Sequence, residues 1–408
     1  MAFVKEFKSQ AYRRDQNKRR MTGFIQKHKG LHRICSALSL IASSQLTISS
    51  DGNCLKRRGV SRACEIGVRI LILFSILNTL CFTHRILPFS LTMTFYSSAI
   101  CGFTIQLILH FKRCEISNAL YQVCRLSDVL NPRKVIENKY VCKVLVFISV
   151  SVMIYIAGIS FYFYLEWGHN IKPSSLPLLE RPHLREMYLG VVLASITFSA
   201  TNGGSTCGVC ILLCESIYSM IGDLIRSYHS NLQNKLKTQR LSTFIFDEAK
   251  NFKAIVSLVN TVEQAFKLCA LLLYGAQASL IFITISIAVS KDDILRSYWI
   301  NGVSAWNLML TTFMYHQLTA SGSQIYDESE RLKNVSVECA HEICQHSIVG
   351  SNANDGSLQA LSLLLANIRD VPLMVTGGGL FVIRKAIILT MVNSVVTYGV
   401  IMYQLSDL

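Results

Sequence analysis

Seven stretches of the chain are too long and too apolar to be hidden in an ordinary soluble core. They lie at 66–83, 88–109, 142–164, 187–211, 267–289, 297–317 and 379–404. A helix rises about 1.5 Å per residue, so about 18 to 25 apolar residues cross a hydrocarbon layer about 30 Å thick. Inside that layer no water satisfies backbone N–H and C=O groups, which leaves the helix and the closed barrel as spanning structures. Barrel strands are about ten residues long and alternate in hydrophobicity. The runs here are continuous and about twice that length. The expected fold is an all-α polytopic membrane protein with seven transmembrane helices, 1–408 forming a single seven-helix domain. Composition agrees: 51% of residues are hydrophobic and 16% charged, against roughly 25% charged in soluble domains.

Charge sets the expected orientation. Arg13, Arg14, Lys18, Arg19, Arg20, Lys56, Arg57 and Arg58 crowd the first 60 residues. Lys112, Arg113, Arg133, Lys134, Lys139 and Lys143 follow the second run, and Arg226, Lys235, Lys237, Arg240, Lys250 and Lys253 follow the fourth. The other connectors are short (84–87, 290–296), or, at 165–186, mix Glu166, Glu180 and Glu186 with their bases. Basic loops stay in the cytosol, so the N-terminus is expected there and the C-terminus outside. On this reading 1–60 is a basic cytosolic region, 220–266 and 318–378 are cytosolic helical regions, and 379–404 is the last helix. The net charge of +15 then belongs to the cytosolic face and the bilayer, with no nucleic-acid partner.

The polar, basic start is not expected to be a cleavable signal. The segment 35–48 is too short to span and reads as a buried or interfacial helix. LQALSLLLANI at 358–368 reads as a cytosolic packing helix closed by Pro372 and Gly377–Gly379, the glycines forming a hinge or tight helix start. No internal repeat of the kind transporters use is visible.

No enzymatic constellation emerges. His341 and Glu342 begin like a zinc-peptidase motif, but Gln345 stands where the second histidine belongs. Cys339, His341, Cys344 and His346 gain no further support as ligands, and no metal or cofactor is expected. Cys207, Cys210 and Cys214 sit beside Gly203-Gly204-Ser205-Thr206 and read as small-residue helix packing.

The last run is unusually polar. Arg384 and Lys385 stand near its cytosolic end, and Asn393, Ser394, Thr397, Tyr398, Tyr403 and Gln404 follow. Asn393, Thr397, Val400 and Gln404 share one helix face. Such a stripe lines a pore built by several subunits, or acts as polar glue within one bundle. Aromatic residues gather at the outer ends of the third and sixth runs. There Tyr155, Phe161, Tyr162 and Trp306 serve either as an interfacial belt or as walls of an externally open pocket for an amphipathic small molecule.

Thr397 to Leu405, TYGVIMYQL, resembles the signature of the insect gustatory receptors: Thr-Tyr, a hydrophobic stretch, then Gln-Phe. Thr397, Tyr398 and Gln404 match; Leu405 replaces the usual phenylalanine and Gly399 a larger hydrophobic residue. GLFVIRKAIIL upstream also resembles the family's approach to its last span. The resemblance implies a seven-transmembrane chemoreceptor, related to insect odorant receptors, that acts as a ligand-gated non-selective cation channel. Its partners would be a small-molecule tastant, permeating cations and other gustatory receptors in a homo- or heterotetramer. It would reside in the plasma membrane of gustatory receptor neurons (dendrite). Asn393, Thr397, Val400 and Gln404 would line the pore, Arg384 would mark its approach, and 240–266 with 358–375 would join the subunits. The glutamate that follows Thr-Tyr in sugar receptors is absent, favouring a bitter or other non-sugar tastant. Two alternatives stay open: a seven-helix G-protein-coupled receptor, which has the opposite orientation, and a non-conducting accessory subunit.

Overall fold

Six of the seven apolar runs fall on helices in the computed structural model and the seventh does so from 386 onward; the structure describes residues 28–41, 59–82, 89–130, 138–167, 182–238, 241–290, 298–347 and 355–405. The helices are α1 (Lys29–Ile41), α2 (Gly59–Phe82), α3 (Phe89–Phe111), α4 (Arg113–Leu130), α5 (Asn138–Trp167), α6 (Pro182–Thr238), α7 (Leu241–Val289), α8 (Tyr298–Ser347), α9 (Asp355–Asp370) and α10 (Ala386–Leu405). Between α9 and α10 lies a two-stranded antiparallel hairpin, β1 (Thr376–Gly377) and β2 (Phe381–Val382), pairing Thr376 with Val382 and Gly377 with Phe381.

Four of these helices are long and apolar enough to cross a membrane by length and composition: the stretches Tyr140–Gly158, Leu193–Lys237, Thr243–Val289 and Ala386–Gln404. Shorter apolar segments run over Ile66–Asn78 and Tyr96–Phe111. α8 does not join them, because Asn301, Asn307, Thr311, Thr312, His316 and Gln317 interrupt its first 20 residues.

α6, α7 and α8 contain 57, 49 and 50 residues, so they run for about 75–85 Å, more than twice the hydrocarbon thickness. Their far ends pack together through charged side chains. There Arg226 on α6 donates Nε–H and Nη2–H to Oε1 of the buried Glu328 on α8, at 2.9 and 2.7 Å, and Arg331 adds a bond at 3.0 Å. The core centres on α6, where every residue from Val209 to Cys214 is buried.

α6 packs this closely because glycine lets backbones touch. A Cβ on Gly102 of α3 would lie 2.4 Å from the Gly203 Cα, and one on Gly203 would lie 2.4 Å from the Ser98 carbonyl oxygen. Cys207, Cys210 and Cys214 are buried along the same helix, and among the described residues no His/Cys/Asp/Glu group is arranged to hold a metal. The side chains of Cys339, His341, Cys344 and His346 lie outside the described residues.

Two short helices buttress the bundle. α1 corresponds to the start of the 35–48 segment but begins earlier, at Lys29, because Leu31, Ile34, Cys35 and Leu38 form one buried face. The basic stretch after the second run holds α4, whose Ile116, Ala119, Leu120, Val123, Cys124 and Ser127 repeat at helical spacing and are buried. His28 Nε2 lies 3.3 Å from Asp128 Oδ1 and ties the two helices together.

The glycine triplet differs from its expected role. Gly378 and Gly379 adopt φ of 66° and 77°, the left-handed region where a side chain is strained, and they turn the hairpin. The last helix therefore starts at Ala386, not at 379, and Arg384 precedes it.

Candidate functional site

The cavity of interest lies inside the bundle, between α3, α5, α6, α7 and α8. Its walls are mostly apolar with a few polar groups among them, the character of small-molecule sites. Ile148 and Val152 of α5, Ala276 and Leu280 of α7, and Leu310 and Met314 of α8 supply apolar walls. Gly204 and Gly208 of α6 open room where side chains would otherwise fill it.

Polar groups punctuate these walls. Asn307 donates Nδ2–H to Thr284 Oγ1 at 3.4 Å, and Ser151 donates to the Phe147 carbonyl at 2.8 Å. Three other lining groups have buried polar atoms with no hydrogen-bond partner: Thr201 Oγ1, Gln277 Oε1 and Trp306 Nε1. An orphan of this kind costs about 1–3 kcal/mol, which makes these three the least settled polar atoms in the wall. Among the described residues, the Cys207 thiol is the one ionisable group on the lining.

Trp306 is the one aromatic pocket candidate that the structure places on this wall, its ring 6.0 Å from that of Phe147. Tyr155, Phe161 and Tyr162 belong to α5, but their side chains lie outside the described residues. Sequence reasoning missed Gln277 and Thr201. A signal for the first was present, since Gln277 is the sole amide side chain in the run 267–289.

α10 stands apart from this cavity. None of its span is buried, whereas 83% of the most apolar window of α6 is. Ile387, Ile388 and Met391 lean toward the core, Tyr398 packs edge-on against Phe282 of α7 at 5.0 Å, and Gly399 faces Ile285. Asn393, Thr397, Val400 and Gln404 are all exposed on the other side. Thr397 satisfies its hydroxyl on the Asn393 carbonyl at 2.9 Å. The amides of Asn393 and Gln404 make no side-chain hydrogen bond among the described residues. Leu405 ends the helix, its side chain outside the described residues.

The base of α10 is clamped. The Arg384 guanidinium lies 4.1 Å above the Tyr326 ring, and Lys385 Nζ is 2.7 Å from Asp327 Oδ2, both partners on α8. The hairpin in turn grips α7. Thr376 donates N–H to Glu263 Oε2 at 2.8 Å and its hydroxyl to Oε1, and the Gly378 N–H reaches the Lys267 carbonyl at 2.8 Å. Phe381 stacks edge-on against Tyr274 at 5.4 Å.

No family model matches the sequence, and no curated protein matches it in sequence. In three dimensions the chain is similar to the insect olfactory receptor OR5 from Machilis hrabei. Against that receptor the TM-score is 0.62 at 12% identity, over 94% of this chain and 99% of the other. Against the same receptor in complex with eugenol the TM-score is 0.56 at 11% identity, over the same shares. At such low identity the likeness speaks to architecture, and by architecture the chain is an all-α polytopic membrane protein with the fold of an insect olfactory receptor.

Proposed function

We propose that the protein is a chemoreceptor of the insect seven-transmembrane type, a ligand-gated non-selective cation channel in which four copies arrange α10 around a central pore. The observation that carries this reading is the exposed face of α10. A helix with Asn393, Thr397 and Gln404 on one unburied side is poorly suited to lipid, where amides lack partners. Around an axis shared by several subunits the same face meets water and ions. Asn393, Thr397, Val400 and Gln404 line the path, and Arg384 holds the cytosolic approach.

The cavity supplies the ligand site. α7 is the wall it shares with the pore helix, with Gln277 and Leu280 on one side and Phe282 and Ile285 against α10. A ligand shifts the channel only by its differential affinity for open and closed forms, so a cavity abutting the same helix as α10 is well placed to bias it. The eugenol complex of the olfactory receptor with this fold supports a small organic ligand. The gustatory-type ending Thr397, Tyr398 and Gln404 supports a tastant, and Gly399 in place of an acidic residue supports one other than a sugar. In this arrangement seven helices cross the plasma membrane, the N-terminus and the far ends of α6–α8 lie in the cytosol, and the C-terminus is extracellular.

Patch-clamp recording from cells expressing the chain tests the proposal. A panel of small organic compounds is expected to evoke an inward current carried by several monovalent cations. Plasma-membrane protein that never conducts alone, but conducts with a second receptor chain, would make it an accessory subunit.

A further inference from the structure

We infer that Cys101 of α3 and Cys207 of α6 form an oxidation site, a thiol pair that a peroxide entering the cavity converts into a disulfide stapling the two helices. The site goes beyond the channel reading and does not need it; only its effect on current does.

The free thiols of Cys101, Cys207, Cys210, Cys214 and Cys269 gather where α3, α6 and α7 meet. Side-chain hydrogen bonds join Cys101 with Cys207, and Cys210 with Cys214 and Cys269. The first group meets open space and the second does not. Cys207 stands on the cavity wall at 7% exposure and Cys101 is partly exposed, whereas Cys210, Cys214 and Cys269 are at 0%.

A disulfide needs Cα atoms within about 7 Å. Gly102 and Gly203 allow such an approach by putting backbone against backbone, beside Cys101 and one helical turn from Cys207. The Cys101 S–H points at the Leu272 carbonyl of α7, 3.5 Å away, and the Cys207 thiol donates to the Cys101 sulfur. Negative charge forming on Cys101 therefore finds a donor already in place, so Cys101 attacks and Cys207 resolves.

Hydrogen peroxide is the oxidant. The Cys101 sulfur takes one peroxide oxygen as a sulfenic acid, the O–O bond breaks, and the other oxygen leaves as water with the thiol proton. The Cys207 sulfur then displaces the sulfenic hydroxyl, which leaves as a second water with the Cys207 proton as the S–S bond forms. The two thiols lose two electrons and the peroxide gains them. The oxidant is uncharged and close to water in size, so it enters without a counter-charge on the lining.

The test treats the full chain in lipid nanodiscs with hydrogen peroxide, caps the remaining thiols with iodoacetamide under denaturation, and maps unreduced peptides by mass. A linked Cys101–Cys207 peptide is expected, lost on reduction with dithiothreitol, while Cys210 and Cys269 are recovered capped. Dimedone, which traps sulfenic acids, is expected to label Cys101 in Cys207→Ser about tenfold more than Cys207 in Cys101→Ser. Absence of the linked peptide from the wild-type chain overturns the inference. A Cys210–Cys269 link in equal yield overturns it too, because that pair has no contact with the cavity. In recordings, peroxide is expected to cut evoked current about fivefold, reversibly with dithiothreitol, and to spare Cys101→Ser. Undiminished current through linked protein would overturn the effect on the response. A chain that never conducts would remove the channel reading, and the mass of the linked peptide would still decide the inference.

Discussion

Where α3 crosses α6 there is no room for a side chain, and the cost of adding one can be worked out. A methyl group on Gly203 would sit 2.4 Å from the Ser98 carbonyl oxygen and 2.8 Å from its carbon. Comfortable contacts for carbon begin at about 3.5 Å, so the helices must part by about 1 Å. The obstruction is backbone, which no rotamer change relieves. Overpacking costs about 1–3 kcal/mol, and a clash with two backbone atoms belongs in the upper half of that range. Alanine returns about 1 kcal/mol of helix propensity, leaving Gly203→Ala destabilised by about 1–2 kcal/mol. Gly275 on α7 is the control, since a Cβ there meets nothing within 4 Å and alanine is expected to stabilise by about 0.5–1 kcal/mol. Thermal unfolding in detergent, followed by size exclusion, should show Gly203→Ala melting below wild type and Gly275→Ala at or above it. Because Ser98 and Gly204 line the cavity, Gly203→Ala should also lower the response to any compound that evokes current in the wild type. A Gly203→Ala protein that melts at or above wild type would refute the reasoning.

Glu263→Ala removes the acceptor for both Thr376 donors; at about 1.5–3 kcal/mol per charge-assisted bond, discounted for partial exposure, hydrogen exchange at Thr376 and Gly378 should quicken about 30-fold or more. Burial pushes the Cys35 thiol up to about 12, so the reactive thiolate stays scarce from about pH 7 to about pH 9. Mass spectrometry should accordingly find Cys35 unalkylated by iodoacetamide until the protein is denatured. Asn334 is exposed on α8 in an Asn-Val-Ser sequon, and the proposed sidedness puts it in the cytosol. A glycosidase should leave the mass of the protein unchanged, and a shift would invert the topology.

The helices were legible because apolar runs of that length have few other fates, and the 358–368 segment was legible as a packing helix because its apolar residues recur at helical spacing. α9 indeed buries Leu361, Leu364, Leu365 and Ile368. The start of α10 was not legible. Gly379-Leu-Phe-Val-Ile is as apolar as the helix that follows, and the hairpin exists because Gly378 and Gly379 turn left-handed and Thr376 finds Glu263, a residue 113 positions earlier. The cavity was half legible. Trp306 stood out as an aromatic near a span end, whereas Thr201 became notable only once five helices converged on it. Asn393, Thr397, Val400 and Gln404 follow helical spacing, so their shared face was readable, but helical spacing does not say what that face meets.

The most direct test of the central claim is thiol modification during recording. With Thr397→Cys in the full chain, a positively charged methanethiosulfonate reagent should abolish ligand-evoked current irreversibly and react faster with ligand present. Met391→Cys, on the side facing the core, should keep its current. Full current through Thr397→Cys channels after complete modification, verified by mass, would contradict a pore lined by this face of α10.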